Sequence, residues 1–308
     1  MPAPLVRYTD HRLPNGLRVL VAADRRVPVA AVNIWYGVGS KHEVAGKTGF
    51  AHLFEHVMFQ GSRHVTKAEH ASLIQAVGGT MNGTTWLDRT NYFETVPSHR
   101  LELALWLEAD RMGTLLDALS QENLDNQREV VKNEKRWSYD NRPYGSWAHK
   151  LQAHLYPAGH PYHHPTIGSM EDLDAASLED VTSFFRTWYA PNNAVLSVVG
   201  DVEETEVLRW VERHFGWIAP NPALPRLGDT SLPPTLGREI REVVEDAVPL
   251  PRVYLGFRAP RLADPRLDAL DIAGQILAGG KGSRLYVRLV RGERLAQDVA
   301  LFSLGLVE

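Results

Sequence analysis

Cysteine is absent from the 308 residues. That removes disulfides and thiolate metal ligands together, and leaves His, Asp and Glu to build any metal site. Cysteine absence does not fix the compartment. No apolar run is long enough to cross a bilayer, and residues 1–10 lack the apolar core of a signal peptide. The expected location is therefore the cytoplasm, or the periplasm if a leader has been removed. Charge is also scarce in net terms: the balance is −4, and Lys and Arg are scattered without a basic run, which sets nucleic-acid partners aside. What remains is an ordinary globular composition, 44% hydrophobic and 23% charged, long enough for two domains.

The chain opens as an antiparallel sheet. Residues 6–13 and 17–22 flank Pro14-Asn15-Gly16, a strong hairpin signal, and 29–38 continue as a β-rich run. A helix then follows, with Thr48 as its cap and Gly61 as its end. A capping-box pattern at Thr66 and Glu69 precedes a second helix that stops at Gly78-Gly79. Residues 80–87 and 90–96, joined at Asp88-Arg89, read as another hairpin. Helices are expected from Ser98 to about Met112, over 121–139, over 146–155, after Ser177 and over 203–215, with a buried strand at 193–200. The fold class read from this order is α+β, mostly antiparallel sheet packed against helices.

Five prolines between 219 and 234 mark an extended linker. This divides the chain into a first domain, 1–218, the linker 219–234, and the start of a second, similar domain, 235–308. In the last segment, 238–245 and 252–257 are strand-like, 267–277 helical, and 300–306 another strand. The echo of the first domain is incomplete, which suggests a truncated second domain.

The chemistry centres on residues 49–62, GFAHLFEHVMFQGS. In a helix His52 and His56 share one face, about 40° and about 6 Å apart. H-x-x-E-H is the reversed form of the zinc-peptidase motif, with the histidines as ligands and Glu55 as base. Two histidines that merely hydrogen-bond on a buried face would show the same spacing. A peptidase zinc site uses three protein ligands, and an open position where a water's pKa falls towards 7. On the helix over 121–139, Gln127, Val130, Val131 and Glu134 lie along one face, and Glu134 offers a carboxylate.

Three segments together resemble the pitrilysin/insulinase family of zinc peptidases (inverzincins), in particular the two-domain subunits related to mitochondrial processing peptidase. They are GFAHLFEHVMFQGS, VVKNE at 130–134 and GGTMNGTTWLDRTNYF at 78–93, supported by YAPNNAVLSVVGD at 189–201 and GGKGSRLYVRLV at 279–290. The resemblance implies one Zn2+ per chain held by His52, His56 and Glu134, with Glu55 as general base. It also implies a peptide-binding strand containing Asn82, Gly83 and Thr84, and an endopeptidase acting on peptides or unfolded segments. If that strand is a sheet edge, an extended peptide can pair with it through main-chain hydrogen bonds. A non-catalytic structural or assembly subunit of the same fold is the alternative.

Two positions depart from the family pattern. Gln127 stands where an acidic residue is common, and a neutral amide can orient a ligand but cannot act as a base. Val290 and Gln297 stand where an active second half carries an arginine and a tyrosine. This implies a second subunit of the same family supplying that pair, in a heterodimer, a homodimer remaining possible. The histidines of GHPYHH, 159–164, read as a loop over the cleft, because prolines interrupt any ligand register.

Overall fold

The computed structural model describes residues 6–308; residues 1–5, part of the stretch read above for a leader, lie outside it. Two compact units divide the chain: residues up to 152 together with 161–227, and residues 153–160 together with 228–308. No helix among the described residues is long and apolar enough to cross a membrane.

The first unit is a six-stranded sheet with helices on one face. Its strands are β1 (Thr9–Arg12), β2 (Arg18–Ala23), β3 (Val29–Tyr36), β4 (Thr80–Thr85), β5 (Thr90–Pro97) and β6 (Ala194–Gly200), in the order β1-β2-β6-β3-β5-β4. Every pairing is antiparallel except β2 with β6. Both expected hairpins form. Gly16 makes the first turn at φ +90°, where a Cβ would meet Asn192 Cβ at 2.6 Å, so only glycine is accommodated there.

Alternate side chains of the strands go to one face, as the pleat requires: Val32, Ile34 and Tyr36 from β3, Leu196 and Val198 from β6, Tyr92 and Val96 from β5. Against them pack α1 (Phe50–Val57), α3 (Leu101–Ala118), α7 (Leu178–Trp188) and α8 (Glu204–Phe215). Each fully buried large apolar side chain is worth about 1.5–3 kcal/mol. Helices α2 (Glu69–Ala76), α4 (Gln121–Lys135), α5 (Trp147–Leu155) and α6 (Met170–Ala175) complete the set before 228. The short α6, capped by Ser169 accepting from Asp172 N at 3.0 Å, is not among the helices expected from the sequence. The Thr66–Glu69 pattern forms one half of a capping box. The Glu69 carboxylate accepts from Thr66 N and Oγ1, both at 2.8 Å, but Ala68 stands at the N-cap.

Buried charge is the feature of this core that hydropathy did not foreshadow. Arg111 and Glu108 of α3 form a fully buried pair, Nε donating to Oε2 at 2.9 Å. Glu94 of β5 and His70 of α2 lie beside them, hydrogen-bonded to each other. The Arg111 guanidinium also stacks over Tyr92 and Phe59, 4.3 and 5.1 Å from the ring centres. Burial pushes the Glu94 carboxyl up to about 7, and Arg111 pulls it back. Arg111→Met leaves two carboxyls without their cation, and the expected loss in denaturant unfolding is about 3–5 kcal/mol.

In the second unit α9 (Pro265–Ala278) forms as expected, with Asp264 as cap and Pro265 at its first position. The stretches 238–245, 252–257 and 300–306 carry no strand ladder, contrary to the expectation, and Val253, Leu255 and Phe257 are 84, 77 and 80% exposed. A strand persists through a ladder of hydrogen bonds to a neighbour; among the described residues no ladder forms on these segments, although Leu262 N donates to Leu306 O at 2.6 Å.

Candidate metal centre

Helix α1 begins by an unexpected route. Thr48 does not cap it: Thr48 N and Oγ1 both donate to Asp172 Oδ2, at 2.8 and 2.6 Å. The cap comes instead from Glu43, fully buried, whose oxygens accept from Gly49 N at 2.9 Å and Ala51 N at 2.7 Å. A carboxylate there meets the positive end of the helix dipole. Burial pushes Glu43 up to about 8, opposed by these amides. A cap six and eight residues upstream has no short-range sequence pattern, which is why the local pattern pointed to Thr48. The helix ends at Val57, with Met58 as C-cap, ahead of the expected Gly61.

Its length is still enough to bring His52 and His56 onto one face, with ring centres 4.9 Å apart. Glu134, near the C-terminal end of α4, completes a trio. Its Oε2 lies 3.7 Å from His52 Nε2 and 3.4 Å from His56 Nε2. One ligand atom of each lies within 4.8 Å of the others. Burial, with the charge of His56, pushes His52 down to about 4, so its imidazole is neutral and able to donate a lone pair at neutral pH. The hydrogen bond from His56 holds Glu134 below the usual carboxylate range. Two imidazoles and one carboxylate, open on the Glu134 side where 38% of the side chain is exposed, form a donor set that suits zinc. Buried His52 Nδ1 has no partner among the described residues.

Glu55 points elsewhere. A Cβ added to Gly83 would lie 3.2 Å from Glu55 Cγ, so its side chain reaches β4. Burial raises its carboxyl above the usual range, and the Thr85 hydroxyl, His56 and Arg89 pull it down.

β4 is the last strand of the sheet and among the described residues pairs only with β5. Trp86 N donates to Arg89 O at 2.8 Å. The antiparallel alternation then turns the backbone groups of Thr84, Asn82 and Thr80 inward and those of Thr85, Gly83 and Met81 to the free edge. The Gly83 amide is taken by the Asn82 side chain, N to Oδ1 2.9 Å. Thr84 is engaged on the opposite face, donating to Asn91 Oδ1 at 2.5 Å. Gln127 is buried, its amide bonded to Asn126 Oδ1 at 2.8 Å.

A second trio, His70, Glu94 and Glu108, also converges. There Arg111 binds both oxygens of Glu108 and supplies the positive charge a metal would, which makes it an ion-pair network. Of the histidines of 160–164, His160 Nε2 meets Thr230 O at 3.1 Å, and His164 Nδ1 lies 3.5 Å from Glu43 Oε2. Sequence reasoning passed over Glu43, Thr85 and Arg89, which act from a loop, a strand end and a turn outside the H-x-x-E-H spacing.

The profile of the insulinase family (peptidase family M16) matches residues 18–159, and that of the peptidase M16 inactive domain matches 175–306. The zinc protease PqqE of Helicobacter pylori is 33% identical over 304 residues, 96% of this chain and 66% of that protein. A probable mitochondrial-processing peptidase subunit beta of Arabidopsis thaliana is 25% identical over 316 residues, 98% of this chain and 57% of that one. The crystal structure of a protease from Helicobacter pylori superposes with a TM-score of 0.88 at 29% identity, covering 99% of this chain and 73% of that one. The chain spans about two thirds of the length of the first of these relatives. With two profiles of one family covering most of its length, an H-x-x-E-H helix and a third carboxylate facing it, this chain belongs to the insulinase family, peptidase family M16.

Proposed function

We propose that this chain is a zinc-dependent endopeptidase acting on peptides or unfolded polypeptide segments. The observation that carries the reading is the convergence of His52, His56 and Glu134 beside a glutamate that touches the free strand edge. His52, His56 and Glu134 hold the metal, one ion per chain. When bound, zinc supplies Lewis acidity, polarising a carbonyl and acidifying a water. Glu55, half-buried and raised by that burial, takes a proton from water and delivers it to the leaving amine.

Asn82 and Gly83 receive the substrate, with Thr84 supporting the strand from its other face. An extended peptide adds to the β4 edge and replaces the Asn82 side chain on the Gly83 amide, freeing Asn82 to bond the peptide backbone. Asn82→Ala is expected to raise KM about three- to tenfold, the worth of one hydrogen bond, with zinc content unchanged by metal analysis.

Val290 and Gln297 stand in place of the arginine and tyrosine that the family pattern leads one to expect, so we assign that pair to a second subunit of the same family. The profile described as inactive covers 175–306, and none of the four metal-site residues falls in it, which favours a catalytic chain over an assembly subunit. The test is metal analysis paired with cleavage of a quenched peptide, with and without the partner subunit. One zinc per chain and partner-enhanced cleavage are expected; a metal-free chain, or one that cleaves nothing in either state, overturns the reading.

A further inference from the structure

The turn between β4 and β5 carries a cation, Arg89, whose charge acts on Glu55 of the metal centre but which no carboxylate binds among the described residues. Arg89, half-buried, lies over the Trp35 indole, 4.9 Å from the ring centre. Its Nη1 donates to Thr84 O at 3.0 Å, to Asn91 Oδ1 at 2.9 Å and to Thr84 Oγ1. Beyond these residues the floor is completed by Asn33, whose Oδ1 accepts from Asn91 Nδ2 at 3.0 Å. These hydrogen-bonding neighbours are neutral; the charge that acts on Arg89 from further off is that of Glu55.

All the hydrogen bonds of the guanidinium go through one nitrogen. Among the described residues Nε and Nη2 have no hydrogen-bond partner, and the Glu55 carboxylate acts on this arginine through its charge without forming an ion pair. Those two nitrogens form the side-on fork that binds a carboxylate through two parallel hydrogen bonds. Neither nitrogen is among the buried atoms without a partner, so the fork is open to solvent and within reach of an anion from outside.

The position of the fork indicates which anion. In a strand added to β4, alternate side chains emerge on the face that carries Thr84. The residue opposite Thr84 has its Cβ about 5 Å from that of Thr84, and Thr84 Oγ1 is itself bonded to Arg89. An Asp or Glu side chain spans the remaining distance.

We propose that Arg89 reads a substrate carboxylate, so that the cleft favours peptides with Asp or Glu where the side chain rises beside Thr84. This rests on the reading of β4 as the substrate edge. A peptide C-terminus presents the same group, and the experiment separates the two.

Quenched peptides carrying Glu, Gln or Lys at each of three positions on either side of the scissile bond are compared in the assembled, zinc-loaded enzyme, each as free acid and as amide. One position is expected to show kcat/KM about tenfold higher for Glu than for Gln. In Arg89→Gln that ratio falls to about one, and Arg89→Glu turns the preference towards Lys. A hairpin merely loosened by the substitution slows Glu and Gln peptides alike and leaves the ratio standing. An Arg89-dependent advantage that follows the internal Glu assigns the side chain; one that follows the free acid assigns the terminus. A Glu-to-Gln ratio that is the same in Arg89→Gln as in the wild type, or no position with a preference, overturns the proposal. Cleavage of the Gln peptides reports the peptidase reading independently; if none is cleaved, that reading fails first.

Discussion

Glu55→Gln is expected to lower kcat by about 10²–10⁴-fold while the metal stays bound. The loss is the ordinary contribution of a positioned general base. The substitution keeps shape and hydrogen-bonding capacity but removes the ability to accept a proton. Glu55 is not one of the three convergent donors, and its side chain lies against Gly83 on β4, so metal retention does not depend on it. Zinc content at the wild-type level with collapsed turnover is the expected pair of results. Turnover near the wild-type rate would remove Glu55 from its role.

Glu134→Gln has the complementary signature. Its carboxylate is the anionic member of the trio and lies 3.4 Å from His56 Nε2. Disturbing the outer partner of a metal ligand already costs about 10–100-fold in affinity, and removing a ligand's charge should cost more than about 100-fold. Competition with a chelator measures this directly. Because the side chain is 38% exposed, unfolding of the metal-free protein should hardly change, which distinguishes lost ligation from lost fold. Zinc affinity equal to wild type would assign the third ligand elsewhere.

The site was more legible in the sequence than the sheet that carries it. H-x-x-E-H declares itself within five residues because helical geometry converts a spacing of four into a shared face. Glu134 required the resemblance, since nothing local ties α4 to α1. Both hairpins were legible from their turns, but the insertion of β6 between β2 and β3, parallel to β2, is a long-range pairing with no local mark. Glu43 was hidden for the same reason, as a cap supplied from outside the helix. Arg111, Glu108 and Glu94 were hidden differently: charged residues read as solvent-facing until their partners are known, and these are buried because they neutralise one another. The strands expected at 238–245 and 252–257 failed because alternation of side chains reports a strand's faces and is silent about its neighbours.

The most direct test of the account is a zinc titration of the chelator-stripped, assembled enzyme, followed by cleavage of a quenched peptide. Activity should be absent without metal, rise in proportion to zinc added and reach its plateau at one equivalent per chain. Cleavage by the stripped enzyme at the plateau rate, or no recovery at any zinc level, would contradict it.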